Sequence, residues 1–410
     1  MSQKGELPVK KSRSWKSAWK AMALAAVCGT AISFAAVPVP QADANILGAV
    51  IGAVQGGAAY AQIDKQLNYY NNTEEGRQKL YTQYKEKYGV NYDSFLNAQL
   101  DAMMNEMSAG IRAVDPTIDK KPYIYFINND TSFNAFCSLG HVMSVNTGMY
   151  SMTTVPDEIA VVLLHEMGHG QKDHVVHGTR KKVGVLVGAS VLSGAAGSGI
   201  ADAVLEVAVN QINNVAIGKK DEWEADNLAL TYMLHTNYNP GATAAMWQRV
   251  IEKMSSGRHS FAGEIFSPSD HPTNEQRRDN YASRLTDLSG GNVTCEKGVV
   301  KVGGKTFVTP AATGEMSGAE RAYFVMGNLV AAFRTGQNAR EAYANGNTVL
   351  LGSQPIITCT AGDASAASLA SLLNEIKSSQ PAVVPDREKK LQAKAAPAVK
   401  QAKSTQGDAD

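Results

Sequence analysis

Two histidines four residues apart with a glutamate between them, His165-Glu166-Met167-Gly168-His169, are the residues of this chain best suited to do chemistry. On an α-helix that spacing puts both imidazoles on one face, one turn apart, where they can grip a single metal ion. Glu166 then lies about 100° further round, close enough to take a proton from a water beside the metal without displacing it. The run from Ile159 to Leu164 is entirely apolar. Ionisable groups on such a helix are costly to bury without partners, so these three call for a ligand.

Zinc held by two imidazoles needs a third protein ligand and keeps one position open for water. One known arrangement would place Gly at 172 and His at 175, but Lys172 and Val175 stand there. The segment Asp221-Glu222-Trp223-Glu224-Ala225-Asp226 offers carboxylates instead, with Glu222 and Asp226 four apart on one helical face. Glu222 is assigned to the metal, and Asp226 to the outer nitrogen of a ligand imidazole. Glu224 points elsewhere and reads as a solvated or salt-bridged carboxylate. His174, nine residues beyond His165, falls half a turn out of phase if the helix continues, so His174 and His177 read as structural or surface histidines.

The elements that must position these groups follow from periodicity and caps. A buried helix is expected over 156–172, with Pro156 in its first turn and Thr154 and Asp157 forming a capping box. Helices over 218–236 and 240–256 come next. Upstream, residues 74–113 show helical periodicity, with Leu80, Tyr84, Tyr88, Phe95, Leu100 and Met104 marking apolar faces. Pro122–Ile127 reads as a buried strand ended by the turn Asn128-Asn-Asp130, and His141–Asn146 alternates like a second strand exposed on one side. The expected class is α+β: a mostly helical, zincin-type metal-binding domain over 74–289 with a small sheet. After Gly290-Gly291 a small α+β module runs to 377, with a hairpin over Val299–Val308, a helix over 319–334, a strand over 349–359 and a helix over 364–377. From Ser378 to 410 the chain is rich in Lys, Ala, Gln and Pro, the composition of a disordered tail.

The N-terminus speaks to compartment. Basic residues through Lys20 precede the apolar run Ala21–Val37, then Pro38, Pro40 and the small-x-small pattern Ala42-Asp43-Ala44. This is the layout of a secretory signal peptide over 1–44, the alternative being an uncleaved anchor. Export of this kind points to the periplasm or to secretion. Residues 45–73 open with Gly48, Gly52 and Gly56 on one face, which suits close helix packing or contact with a membrane surface. Val183–Ile200, equally small and apolar, reads as a mobile helical flap that can touch a membrane. The 410-residue chain carries 39 Lys and Arg against 38 Asp and Glu, and residues 1–44 hold six of the bases and two of the acids. The remainder, 33 against 36, offers no basic surface for nucleic acid. Cys295 and Cys359 sit at apparent strand ends and are a plausible disulfide in an oxidising compartment, two buried thiols being the alternative; Cys137 would be odd and buried.

Four blocks together resemble the family of CAAX prenyl protease and HtpX-like zinc metallopeptidases, especially its exported quality-control members. They are Asn134-Ala-Phe-Cys-Ser-Leu-Gly-His-Val-Met-Ser-Val-Asn-Thr-Gly148, the 165–169 block, Glu222-Trp-Glu-Ala-Asp226, and His271-Pro272 with Arg277. The resemblance covers roughly 60–285 and implies one Zn2+, held by His165, His169 and Glu222, with Asp226 orienting His165. It implies Glu166 as the catalytic base of peptide-bond hydrolysis, and His271 and Arg277 lining the site to stabilise the oxyanion or substrate backbone. It makes His141, Val142, Met143, Ser144, Val145 and Asn146 the edge strand to which an extended substrate adds. Misfolded or misassembled envelope proteins are the implied substrates. A periplasmic chaperone or assembly factor with a mostly capped metal site is the competing reading. The family's usual Ala-Leu-Pro-Gly-Gly stretch is replaced here by Cys137-Ser-Leu-Gly-His141, which bears on loop shape and substrate preference.

Overall fold

The computed structural model describes residues 56–192, 200–210, 217–255, 272–314 and 316–379. The leader, Gly48 and Gly52, residues 193–199 of the expected flap, His271 and the tail from 380 lie outside the described residues. The elements begin with helices α1 (Gly56–Asn72), α2 (Glu74–Tyr88) and α3 (Ser94–Arg112), followed by strands β1 (Ile124–Asn128), β2 (Ala135–Cys137) and β3 (Val142–Asn146). Then come α4 (Gly148–Met152), α5 (Pro156–Gln171), α6 (His174–Leu192), α7 (Ile200–Asn210), α8 (Lys219–Met233), α9 (Ala242–Ser255) and α10 (Asn274–Leu288). The class is α+β, mostly helical around small sheets. No described helix is long and apolar enough to cross a membrane.

The helical stretch 74–113 consists of two helices. Thr73 caps α2, Gly89 at φ 72° turns the chain, and Asp93 caps α3 by accepting from the amides of Phe95 and Leu96. Phe95, expected on a buried face, is 75% exposed because it sits in that first turn. At α5 the capping box is not formed: Val155 occupies the cap position with no side-chain bond. Thr153 does the work from outside, accepting from the Val155 amide and donating to Glu158, while Asp157 accepts from the Asn239 amide.

The sheet has the order β1-β3-β2, with β1 parallel and β2 antiparallel to β3. It divides two cores, as the period of two requires. Ala135, Cys137, Met143 and Val145 face the larger cluster around α5, whereas Phe136 and Val142 face a second cluster built on α1, α2, α6 and α7. This corrects the reading of residues 141–146 twice. The strand is central, and all of Val142–Asn146 is buried rather than exposed on one side. Its polar residues alternate because they pair with the neighbouring strand and the bend before β2: Asn128 Nδ2 donates to Ser144 Oγ and Asn146 Oδ1, and Asn146 Nδ2 to Ser132 Oγ. His141 lies before the strand, at φ 55°, its ring stacked 4.3 Å from Tyr123 and its Nδ1 2.7 Å from the Lys121 carbonyl.

Beyond α10 the chain repeats one motif. Strands β4 (Val293–Glu296), β5 (Val299–Val302) and β6 (Lys305–Val308) form a meander followed by α11 (Gly318–Arg334). Strands β7 (Ala342–Asn345), β8 (Thr348–Leu351) and β9 (Gln354–Thr358) form another, followed by α12 (Ala366–Ser378). Each middle strand carries a register shift after its second residue, Val300 or Val349, and each ends at a positive-φ glycine, Gly303 or Gly352. Each helix is capped by a serine, Ser317 or Ser365. The expected single strand over 349–359 is therefore a hairpin turning at Gly352. Cys295 and Cys359 are free, buried thiols, one inside β4 and the other beyond β9 in the other sheet, so the expected disulfide is absent. One continuous set of buried apolar residues links α3, α5, α9 and both repeats. Across it, Arg249 on α9 sits between Glu158 at the start of α5 (2.8 Å) and Glu320 at the start of α11 (3.5 Å), all three buried.

Candidate metal centre

Helix α5 is buried from Glu158 to Gly170 except at Glu166, the one side chain in that stretch that reaches solvent. Helix α8 packs closely across it at Gly168. A Cβ there would stand 3.2 Å from the Ala225 carbonyl oxygen and 3.3 Å from its Cα. The absence of a side chain thus lets α8 bring Glu222 and Asp226 against the two histidines.

His165, His169 and Glu222 converge as a buried triad whose ligand atoms all lie within 4.8 Å of one another. The two Nε2 atoms are 3.1 Å apart, and the carboxylate oxygens of Glu222 are 3.5 Å from His165 Nε2 and 3.4 Å from His169 Nε2. Bonds of about 2.0–2.1 Å to a tetrahedral ion give ligand-to-ligand edges of roughly 3.3 Å, so the three groups fit the vertices such an ion needs. Both outer nitrogens are already engaged, which leaves each Nε2 for the ion. The residues thus fit a metal.

His165 Nδ1 lies 3.0 Å from Asp226 Oδ1. That carboxylate is fully buried and also accepts from the Tyr281 hydroxyl at 3.0 Å and from Arg277, whose Nε is 2.7 Å from Oδ2 and whose Nη2 meets Oδ1. The Arg277 guanidinium lies 3.9 Å over the Trp247 ring and is 1% exposed. Arg277 therefore braces Asp226 and His165 from behind. This differs from the expected lining of the substrate cleft, because a guanidinium spent on a buried carboxylate has its plane fixed away from solvent.

The second ligand is held differently, and the sequence reading missed how. Helix α5 ends at Gln171, and Asp173 in the left-handed region (φ 51°) reverses the chain. His174, expected to face away, comes back to place its Nδ1 2.9 Å from His169 Nδ1. Its Nε2 is 3.5 Å from Glu224 Oε2, so Glu224 too is drawn toward the centre. The available signal was Lys172-Asp173, since Asp is among the few residues that tolerate the left-handed turn that ends a helix. Tyr281 was legible in principle, one turn beyond Arg277. Cys137 contributes through its backbone: its N–H donates to Glu166 Oε2 at 3.1 Å.

Charge is concentrated here. Burial and the Arg277 guanidinium press the His165 imidazole down, but Asp226 and Glu222 outweigh both and raise it to about 9. Burial first, and the Glu222 carboxylate in addition, push Glu166 up to about 7 against the pull of His165. The Asp226 and Glu222 carboxylates hold a proton on His165 in the metal-free protein, and a divalent cation seated between the two imidazoles and Glu222 would displace it.

β3 is central, β1 and β2 are the outer strands, and among the described residues no strand pairs with the outer side of β2. The Asn146 amide donates to the Asn134 carbonyl and the Ser138 amide to the Val142 carbonyl, so by alternation residues 134, 136 and 138 bond inward to β3. The N–H and C=O groups of Ala135 and Cys137 point away from β3, and the Cys137 N–H meets Glu166.

Residues 94–284 match peptidase family M48. Over 177 residues, 42% of this chain and 67% of the relative, the sequence is 26% identical to metalloprotease LoiP of Escherichia coli strain K12. Over 170 residues it is 21% identical to the β-barrel assembly-enhancing protease of Yersinia pestis, a match covering 40% of this chain and about a third (34%) of that relative. A helix bearing two histidines and a glutamate, a metal-sized seat completed from α8, and these matches agree: residues 94–284 form a peptidase M48 domain with a candidate seat for a metal ion.

Proposed function

We propose that this protein is an exported zinc endopeptidase that hydrolyses peptide bonds in misfolded or misassembled envelope proteins. The observation that carries the reading is the His165–His169–Glu222 seat with Glu166, alone on its helix stretch, opening to solvent beside the outer edge of β2. Two imidazoles and one carboxylate are a donor set suited to catalytic zinc, which when bound polarises a carbonyl and acidifies water. Glu166 takes the proton from the attacking water and returns it to the leaving amine. Asp226, clamped by Arg277 and Tyr281, holds the His165 ring in the orientation that presents Nε2. A substrate in extended form adds to β2 through the outward groups of Ala135 and Cys137, and the Cys137 N–H passes from Glu166 to the substrate as it docks. His271, implied by the resemblance as a further site residue, completes the reading from outside the described residues. The leader-like N-terminus and the relative named for β-barrel assembly support envelope substrates and a periplasmic location.

The test is Glu166→Gln in the purified protein. Casein cleavage should fall about 10²–10⁴-fold, the range for losing a general base, while bound zinc stays at one per chain. Unchanged cleavage would end the enzymatic reading. Undiminished rescue of misassembled envelope proteins by Glu166→Gln would favour the chaperone alternative.

A further inference from the structure

The two ligand imidazoles are braced by chemically different partners. His165 leans on a carboxylate locked by Arg277, whereas His169 leans on another imidazole. We propose that His174 is a positioning residue for the metal: it accepts the Nδ1 proton of His169 and so fixes the tautomer that presents Nε2 to the seat. The inference rests on the reading that His165, His169 and Glu222 hold zinc.

The argument is one of proton placement. His169 Nε2 faces His165 Nε2 at 3.1 Å and Glu222 at 3.4 Å, so that nitrogen must be bare to bind an ion. The single proton of neutral His169 then sits on Nδ1, 2.9 Å from His174 Nδ1, which must accept it. The His174 proton is thereby placed on Nε2, the nitrogen that faces Glu224 at 3.5 Å and Asp221 at 4.0 Å. A directed chain results, from His169 through His174 to the carboxylates at the start of α8. That helix also delivers Glu222, so α8 supplies a ligand on one side of His169 and anchors its brace on the other. His174 is 5% exposed and its ring meets His169 edge-on at 5.0 Å, so water has little access to take its place. The turn that delivers it is itself pinned: Asp173 Oδ1 accepts from Asn71 Nδ2 and Lys121 Nζ, each at 3.1 Å.

The experiment measures Zn2+ affinity of the full chain by competition with a chromophoric chelator, for the parent, His174→Phe and His174→Asn. Phe keeps a ring of similar size but has no acceptor; the Asn side-chain oxygen can reach the place of Nδ1. His174→Phe should bind Zn2+ about 10–100-fold more weakly, and His174→Asn should recover most of that loss. Melts of the metal-free proteins in chelator check that both variants fold. If Phe does not, His174→Leu against His174→Asn reads the same contrast. Phe within about twofold of the parent, or Asn as weak as Phe, would overturn the proposal. A parent that takes up no Zn2+ would overturn the zinc reading itself, a different result from normal binding that is indifferent to His174.

Discussion

Replacing Arg277 by Met tests whether this arginine braces the centre or contacts substrate. Its guanidinium supplies two of the bonds to Asp226, a carboxylate with no solvent exposure, and covers the Trp247 ring. Methionine keeps much of the apolar volume but takes the guanidinium from the buried Asp226 carboxylate, leaving it the Tyr281 hydroxyl and the His165 ring. Breaking a buried pair from one side costs about 3–5 kcal/mol, most of it the desolvation of the group left behind. At about 2–4 °C per kcal/mol for a unit of this size, the melting temperature of the metal-free protein should fall by about 6–20 °C. Because Asp226 would then hold His165 less firmly, Zn2+ affinity should drop by about 10–100-fold as well. The double variant Arg277→Met with Asp226→Asn should regain part of the stability, since the stranded charge is gone. The assay is thermal unfolding followed by tryptophan fluorescence, since Trp247 lies under the guanidinium, together with chelator competition. A melt within about 2 °C of the parent and unchanged Zn2+ affinity, with turnover lost, would refute the brace and return Arg277 to the substrate.

Two other expectations follow from the packing. Gly168→Ala forces a 3.2 Å contact with the Ala225 carbonyl and should be mildly destabilising, whereas Gly168→Leu should push α8 away, remove Glu222 from the seat and abolish stoichiometric Zn2+ binding; metal content after dialysis reads this. At the Glu158–Arg249–Glu320 cluster, burial lifts the Glu320 carboxyl from its ordinary value of 4.5 to about 7 despite Arg249 nearby. The folded state thus holds that proton more tightly than the unfolded one, so the associated stability is present below pH about 4.5 and is lost as pH rises through about 7. Urea midpoints should fall from pH 5 to pH 8 in the parent and change less in Glu320→Gln; parallel profiles would contradict the assignment.

Much of the centre was legible before any fold was known. Helical spacing alone set His165, His169 and Glu166 on one element, and the four-residue interval from Glu222 to Asp226 set ligand and brace on another. Both inferences are local, and local geometry is what a sequence encodes most directly. The strand reading failed because Ser144 and Asn146 alternate as though wet, yet satisfy their polar groups on Asn128 in the neighbouring strand and on Ser132 in the bend before β2. Pattern cannot distinguish water from a buried partner. Which strand forms the edge depends on pairing order, a long-range choice that placed β2 rather than β3 beside Glu166. His174 was misplaced for a related reason: helical phase predicts orientation only while the helix lasts, and this one ends two residues past His169. The chain by itself thus determined the groups of the candidate metal seat and the helices that carry them. Tertiary packing decided what stands behind each ligand and where a substrate can lie, because those depend on contacts between segments far apart in sequence.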